Sequence, residues 1–342
     1  MRENVAWIFK GGDRISVSHR DPLVYLEASI VNVNDGRIVY WPSKHGSDSV
    51  RAFNFPALNT AVLLLGPGCS ITSDAVEILC AANVVIGFTG GGLTPLHGGV
   101  ESADIYFAVG ASEYRPTKYM QGWVSMWMDA DKRLHAAKSL LITRNSEMEA
   151  IWKLAAMKPY LEKVSVSEIL SALSMVNTVS SGAPSRGVRG DSADRRGDSF
   201  AQKVMTAKDE QVLLGLEGAR VKSLYARFAR VHDLSFERNT DDRSGVNGKL
   251  TMGNYMAYGL AASALYTLGI SFGFPLLHGK TRRGGLVFDI ADVLKDALVV
   301  PVAFALRDQS DSEFRQALKT LMMDVEGLKR LIDIVMDISQ CS

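Results

Sequence analysis

Between Lys249 and His278 the chain carries no charged side chain: residues 250 to 277 read LTMGNYMAYGLAASALYTLGISFGFPLL. A run of that length has to leave water, either for a bilayer, which about 20 predominantly apolar helical residues can span, or for a protein core. The same run holds Asn254, Tyr255, Tyr258, Ser263, Thr267, Gly269, Ser271, Gly273 and Pro275. That load of polar and helix-breaking residues suits a buried helix followed by a loop better than a membrane span. The expectation is a chain packed around one central helix, with no membrane segment.

The 342 residues exceed the size at which single cores usually stop growing, so two domains are expected. Hydrophobic residues at 47% and charged residues at 22% leave ample material for a core and confine any disorder to local segments. With a net charge of only +1, contacts to nucleic acid have to come from clustered basic residues. The three cysteines, Cys69, Cys80 and Cys341, show no paired spacing, which removes a zinc knuckle or disulfide framework and fits a reducing cytoplasm. The start, MRENVAWIFKGGDR, is too charged for a signal peptide.

Strands dominate the first hundred residues. ASIVNVNDGRIVYW places Asn34-Asp35-Gly36 between two β-branched runs, a hairpin signal. TAVLLLG, SITSDAVEILCAAN and VVIGFTGGG follow as a buried strand, a capped short helix and a second buried strand. The glycines of GPGCS and TGGGLTPLHGG match no nucleotide-binding pattern and are read as turns. Beyond about residue 110 the pattern turns helical. Tyr119, Trp123, Trp127 and Leu134 share one face after the start signal Arg115-Pro116-Thr117, and are read as core, not as a base-stacking platform. Residues 177 to 199, rich in Gly, Ser, Asp and Arg, are expected to be a mobile loop. The reading is an α+β chain: a β-rich domain over 1–108, then an all-α domain over 109–342.

Two stretches carry chemistry. In 208–233 the apolar face Leu213, Leu214, Val221, Leu224 and Phe228 encloses Glu217, and a carboxylate there must be paired, protonated or bound to a cation. In LLHGKTRRGGLVFDIADVLKDALVV, Asp289, Asp292 and Asp296 share one side of an otherwise apolar helix, just after His278, Lys280, Arg282 and Arg283. Carboxylates with one imidazole suit Mg2+ or Mn2+, and the basic cluster suits phosphate oxygens. The composition is that of a phosphodiester-processing centre. His19, His45, His97, His135 and His232 have no motif around them and are read as surface or packing residues.

These residues carry a resemblance. GLEGARVKSLYARF, GNYMAYGLAASALYTLGI and LHGKTRRGGLVFDIADVLKD together resemble the CRISPR-associated integrase of spacer acquisition, also known as an endonuclease. SEYRPTKYMQGW and residues 56–96 are similar to its type I-F version. The resemblance covers about residues 56–145 and 210–305. It implies an N-terminal β-domain through which two chains dimerise, and a C-terminal helical catalytic domain. It further implies Glu217, His278 and Asp292 as ligands of a divalent metal, with Asp289 assisting. The implied chemistry is attack by the 3′-OH of a captured DNA fragment on a repeat of the host array. The implied partners are DNA and a second adaptation protein fused to a helicase-nuclease. The loop at 177–199 lies outside the family pattern. The alternative reading, a DNA-binding scaffold without catalysis, gives no reason to keep Glu217, Asp289 and Asp292 together.

If Lys280 and Arg282 touch phosphates, Lys280→Ala or Arg282→Ala lowers DNA affinity and reduces the slope of log K against log salt by roughly 0.9 per lost contact. Titrations of labelled DNA at several salt concentrations check this; an unchanged slope would make these residues structural.

Overall fold

The computed structural model describes residues 21–42, 52–57, 60–82, 84–90, 106–108, 117–175, 199–279 and 284–340. Outside them lie the N-terminal stretch, Arg115-Pro116, nearly all of the expected loop at 177–199, and the basic residues Lys280, Arg282 and Arg283.

β1 (Asp21–Leu26) enters a four-stranded sheet of order β1-β5-β7-β8. There it runs parallel to β5 (Thr60–Leu65), and β5 runs parallel to β7 (Val85–Phe88). β8 (Tyr106–Ala108) closes the edge antiparallel to β7. After a bend at Ala28, β2 (Ser29–Asn34) and β3 (Arg37–Pro42) form the expected hairpin, turning through Asp35 and Gly36, both at positive φ. With β4 (Phe53–Asn54) and β6 (Ser70–Ile71) they make a second sheet, β4-β3-β2-β6. GPGCS is a turn: the N–H of Gly66 donates to Leu26 O at 2.8 Å and that of Ala28 to Pro67 O at 2.9 Å, tying it to the bend between the sheets. α1 (Ser73–Ala81) is capped by Thr72, whose hydroxyl accepts from the Ala75 N–H at 3.4 Å.

The apolar run of β5 is buried on both sides because two cores meet on it. Val62 and Leu64 join the large helical core, while Leu63 and Leu65 join a smaller one with Ile38, Ile78, Leu79 and Ile86. Alternation along a strand sends neighbouring side chains to opposite faces, so β5 is the layer shared by both cores.

The rest is helical: α2 (Lys118–Met128), α3 (Ala130–Trp152), α4 (Lys158–Leu161), α5 (Val166–Ser174), α6 (Phe200–Thr206), α7 (Glu210–Val231), α8 (Gly245–Thr267), α9 (Gly285–Leu294), α10 (Val300–Ala305), α11 (Asp311–Asp324) and α12 (Gly327–Gln340). The continuous stripe expected across 119–134 is split at Asp129, which is extended and caps α3 by accepting from the N–H groups of Asp131 and Lys132 at 2.9 and 3.1 Å. Tyr119 and Trp123 are buried, whereas Trp127 and Leu134 are half-buried. On α7 the buried positions are Leu213, Leu216, Arg220, Leu224 and Phe228; Leu214 is exposed and Val221 half-buried, a correction to the expected face.

α8 resolves the uncharged run. It packs against α9, α10, α11, α12 and β7, so it is hidden almost all round, as a helix uncharged beyond Lys249 must be. Two of its buried hydroxyls are satisfied within the helix: those of Ser263 and Thr267 donate to the carbonyls of Gly259 and Ser263, each at 2.8 Å. Among the described residues no helix is long and apolar enough to cross a membrane. Small residues let the neighbours approach: a Cβ on Gly253 would lie 2.4 Å from Val299 Cγ1 and 3.1 Å from Leu318 Cδ2.

Gly253→Ala therefore overpacks the centre of the bundle and is expected to cost about 1–3 kcal/mol. Gly218→Ala, on α7 with open space around it, is expected to gain up to about 1 kcal/mol. Thermal melts of both variants check the contrast; equal shifts would show that α8 can move away from the 295–299 turn.

Candidate functional site

His278 lies on the loop between α8 and α9, and three interactions fix that loop. Trp123 Nε1 donates to Phe274 O at 3.2 Å and Trp127 Nε1 to Pro275 O at 2.7 Å, so the aromatic stripe of α2 braces the loop as well as filling the core. Gly285 allows close approach, since a Cβ there would lie 2.6 Å from His278 O. The third interaction is Asp289. Its buried carboxylate accepts from the backbone N–H groups of Leu276 (2.6 Å), Leu277 (3.2 Å) and His278 (3.0 Å), and faces His278 Nδ1 at 2.7 Å. With Nδ1–H directed to Asp289, the other ring nitrogen, Nε2, is left 3.9 Å from Asp292 Oδ2.

Asp292 and Glu217 come from α9 and α7, and a third helix joins them. Arg144 of α3 places Nη1 2.5 Å from Glu217 Oε1 and 3.4 Å from Asp292 Oδ2, while its Nε donates to Asp296 Oδ2 at 2.9 Å. Arg220, one turn beyond Glu217, donates to the same Asp296 oxygen at 2.6 Å and to Asn145 Oδ1 at 2.8 Å. Lys295 Nζ lies 2.5 Å from Asp292 Oδ1 and over the Tyr258 ring. This buried ion pair holds Asp292 Oδ1, so both oxygens of the Asp292 carboxylate face a cationic side chain.

The structure thus brings Glu217, His278, Asp289 and Asp292 into one cluster, and of the three states open to Glu217 it shows the paired one, with Arg144. Arg144, Arg220 and Lys295 were missed. The signal existed for two of them: Arg144 falls on the buried stripe Ala137, Leu140, Met148 and Ile151, and Arg220 on that of Leu213, Leu216 and Leu224. An arginine inside an apolar stripe requires a buried acid, as a glutamate requires a base. His135 is exposed, and His232 packs on the Phe304 ring, in keeping with the packing roles expected for them. A cleft of about 510 Å³ lined by Tyr160, Glu313, Gln316 and Asp324 contains none of the cluster.

Burial disfavours a charged His278 imidazole, but the hydrogen bond to Asp289 and the field of Asp292 outweigh it and raise its pKa above the ordinary value. Burial raises the Glu217 carboxyl against the pull of Arg144. Asp292 is more deeply buried, yet Lys295 and Arg144 hold it well below the usual carboxylate range. Asp296 is lowered too, by Arg144 and Arg220 against burial.

The donor types, two carboxylates and one imidazole turned toward one of them, fit a hard divalent cation, and the Asp292 oxygens are meanwhile held by Lys295 and Arg144. With Arg144 spanning Glu217 and Asp292, no three His, Cys, Asp or Glu side chains among the described residues are gathered tightly enough to hold an ion.

Solved structures share this fold. A complex titled TtCas1-DNA has a TM-score of 0.58 at 24% identity, covering 96% of this chain and 98% of that one. A casposase bound to integration product has a TM-score of 0.60 at 10% identity, covering 94% and 91%. The class is therefore a strand-rich segment followed by the helical bundle of those proteins. The profile of the CRISPR associated protein Cas1 family matches residues 24–336, and the chain belongs to that family. Relatives named CRISPR-associated endonuclease Cas1 come from Pectobacterium atrosepticum, 35% identical over 94% of this chain and 93% of the relative, and from Pseudomonas aeruginosa, 36% identical over 95% and 94%. These relatives accord with the type I-F resemblance.

Because its folded pKa is depressed, Asp296 contributes stability above the ordinary carboxylate pKa of about 3.9 and loses it as pH falls through the lower folded value. Asp296→Asn is expected to cost about 3–5 kcal/mol at neutral pH, because the buried Arg220 loses its acid and Arg144 loses one of three. Its melting temperature should also fall less steeply than wild type below about pH 4. Melts from pH 7 downward check both; parallel acid limbs would assign the linked protons to other groups.

Proposed function

We propose that this chain is a metal-dependent DNA endonuclease and integrase of CRISPR adaptation, which inserts captured foreign DNA into the array by 3′-OH attack on a phosphodiester. The observation that carries this reading is the Asp289-oriented imidazole of His278, turned toward Asp292 and joined to Glu217 through Arg144. Family membership supports it, as do the endonuclease names of the relatives and the integration product bound to the casposase.

In this reading Glu217, His278 and Asp292 hold Mg2+ or Mn2+. Such an ion supplies polarisation of the scissile phosphate and counter-charge for the attacking hydroxyl. Asp289 works through His278 by fixing its tautomer and direction. Lys280, Arg282 and Arg283, directly after His278, bind the DNA backbone and offset charge gathering on the phosphoryl oxygens. The incoming 3′-oxygen forms a new phosphodiester while the 3′-oxygen of the cut strand leaves with the bonding pair. Residues 1–108 form the dimerisation domain and 109–342 the catalytic domain. The homodimer works in the cytoplasm with a second adaptation protein fused to a helicase-nuclease; a structure of this fold titled partial Cas6-RT-Cas1--Cas2 complex supports a protein partner, without bearing on the fusion or the dimer.

The competing reading, a non-catalytic DNA scaffold, draws on Arg144 lying between the acids. One experiment separates the two: cleavage and joining of a labelled branched DNA with Mn2+, Mg2+ or chelator. Wild type is expected to be active only with metal, His278→Ala and Glu217→Ala to fall by two or more orders of magnitude, and Asp296→Asn to keep more activity than Asp292→Asn. Binding without any reaction in every metal would favour the scaffold, or an enzyme idle without its partner. Equal loss in the two aspartate variants would redraw the site.

A further inference from the structure

Arg144 does more than neutralise a buried acid. Its Nη1 reaches Glu217 and Asp292, two proposed ligands on different helices, while its Nε is hooked on Asp296, which is not one of them. Arg220 holds that Asp296 oxygen from a second direction and is itself held by Asn145, so the anchor does not depend on the ligand carboxylates. A guanidinium stays charged at every working pH and presents its donors as a fixed fork, so it can release one acid while keeping the other. Two carboxylates brought together out of water repel strongly without a positive charge between them. Arg144 supplies that charge at the point where a cation would have to enter.

We propose that Arg144 is a positioning residue that stands in for part of the metal charge, keeping Glu217 and Asp292 converged and yielding only its Nη1 contacts when a divalent cation binds between them. This rests on the metal-dependent reading above. It also explains why the proposed ligands face one another without closing into a metal cage: the guanidinium holds them apart at its own width. The consequence is a trade. Arg144 competes with the cation, weakening metal affinity, and in return stabilises the chain when no cation is bound.

The test is Mn2+ binding to the full chain, followed by the paramagnetic resonance signal of free Mn2+, with melting temperatures with and without Mn2+. Wild type is expected to bind Mn2+ and Glu217→Gln to lose most of that binding; identical behaviour of these two proteins overturns the metal reading and the proposal with it. Given that difference, Arg144→Gln is expected to bind Mn2+ on the order of tenfold more tightly. It should melt lower without metal and show a larger Mn2+-induced rise. Unchanged or weaker affinity in folded Arg144→Gln overturns the proposal while leaving the metal site standing. Arg220→Gln removes a neighbouring buried charge that touches no proposed ligand, so it should lower stability with little change in affinity; tightening equal to that of Arg144→Gln would mean a general field effect and overturn the bridging role. Should Arg144→Gln fail to fold, Arg144→Lys decides. Its ammonium keeps the charge but cannot hold Asp296 and span both ligands, so affinity a few-fold tighter than wild type is expected, and affinity equal to wild type or weaker overturns the proposal.

Discussion

The Asp289 carboxylate, shut away from water on α9, accepts three consecutive backbone N–H groups of the 276–278 loop and faces the imidazole Nδ1. Each of those donors would otherwise be unpaired at the edge of the core, and the carboxylate would be an uncompensated buried charge. The loop can therefore adopt one conformation and the imidazole one direction. That direction turns Nε2 toward Asp292, three residues along the same helix. An acid on a rigid helix thus sets where a loop residue points, and the tryptophans of α2 and the bare backbone of Gly285 keep the loop close enough for it to do so.

The charges around Asp292 obey a similar economy. Glu217, Asp289, Asp292 and Asp296 face Arg144, Arg220 and Lys295, all within an apolar bundle. Four acids against three bases leave one negative charge, which the raised pKa of His278 answers in part. A bundle whose only need was stability would be better served by apolar residues of the same size, because paired buried ions rarely repay their desolvation.

The sequence exposed the fold where its patterns were local. The uncharged run predicted α8, the Asp-Gly turn predicted the hairpin, and the apolar run of residues 60–65 predicted a buried strand; each depends on neighbours a few residues apart. The acids of the site were legible for the same reason, since Glu217, Asp289 and Asp292 each break an apolar face that the eye can follow. Leu214 was misread because a face drawn through Leu213, Val221 and Phe228 is wide enough to admit it, and only packing decides which edge meets the core. Arg144 was not connected to the site because its partners lie 73 and 148 residues away along the chain, and no period links them.

Pro301 completes the geometry. A proline inside a helix has no N–H to give the carbonyl four residues back, which here is Ala297. The chain widens into a π-helical turn at Lys295–Val299, and Trp152 Nε1, from the end of α3, donates to the Ala297 carbonyl at 2.8 Å in place of the missing bond. That turn carries Lys295 and Asp296, the residues that hold Asp292 and anchor Arg144. α3 therefore grips it twice, through Trp152 at its end and through Arg144 a little more than two turns earlier. The acids facing Glu217 are thus fixed by backbone accounting and aromatic donors rather than by one another. Because Asp292 and Asp296 are held on this frame, the exchange of Arg144 for a cation proposed above needs no loosening of the helices, which a site held together by its own charges could not allow.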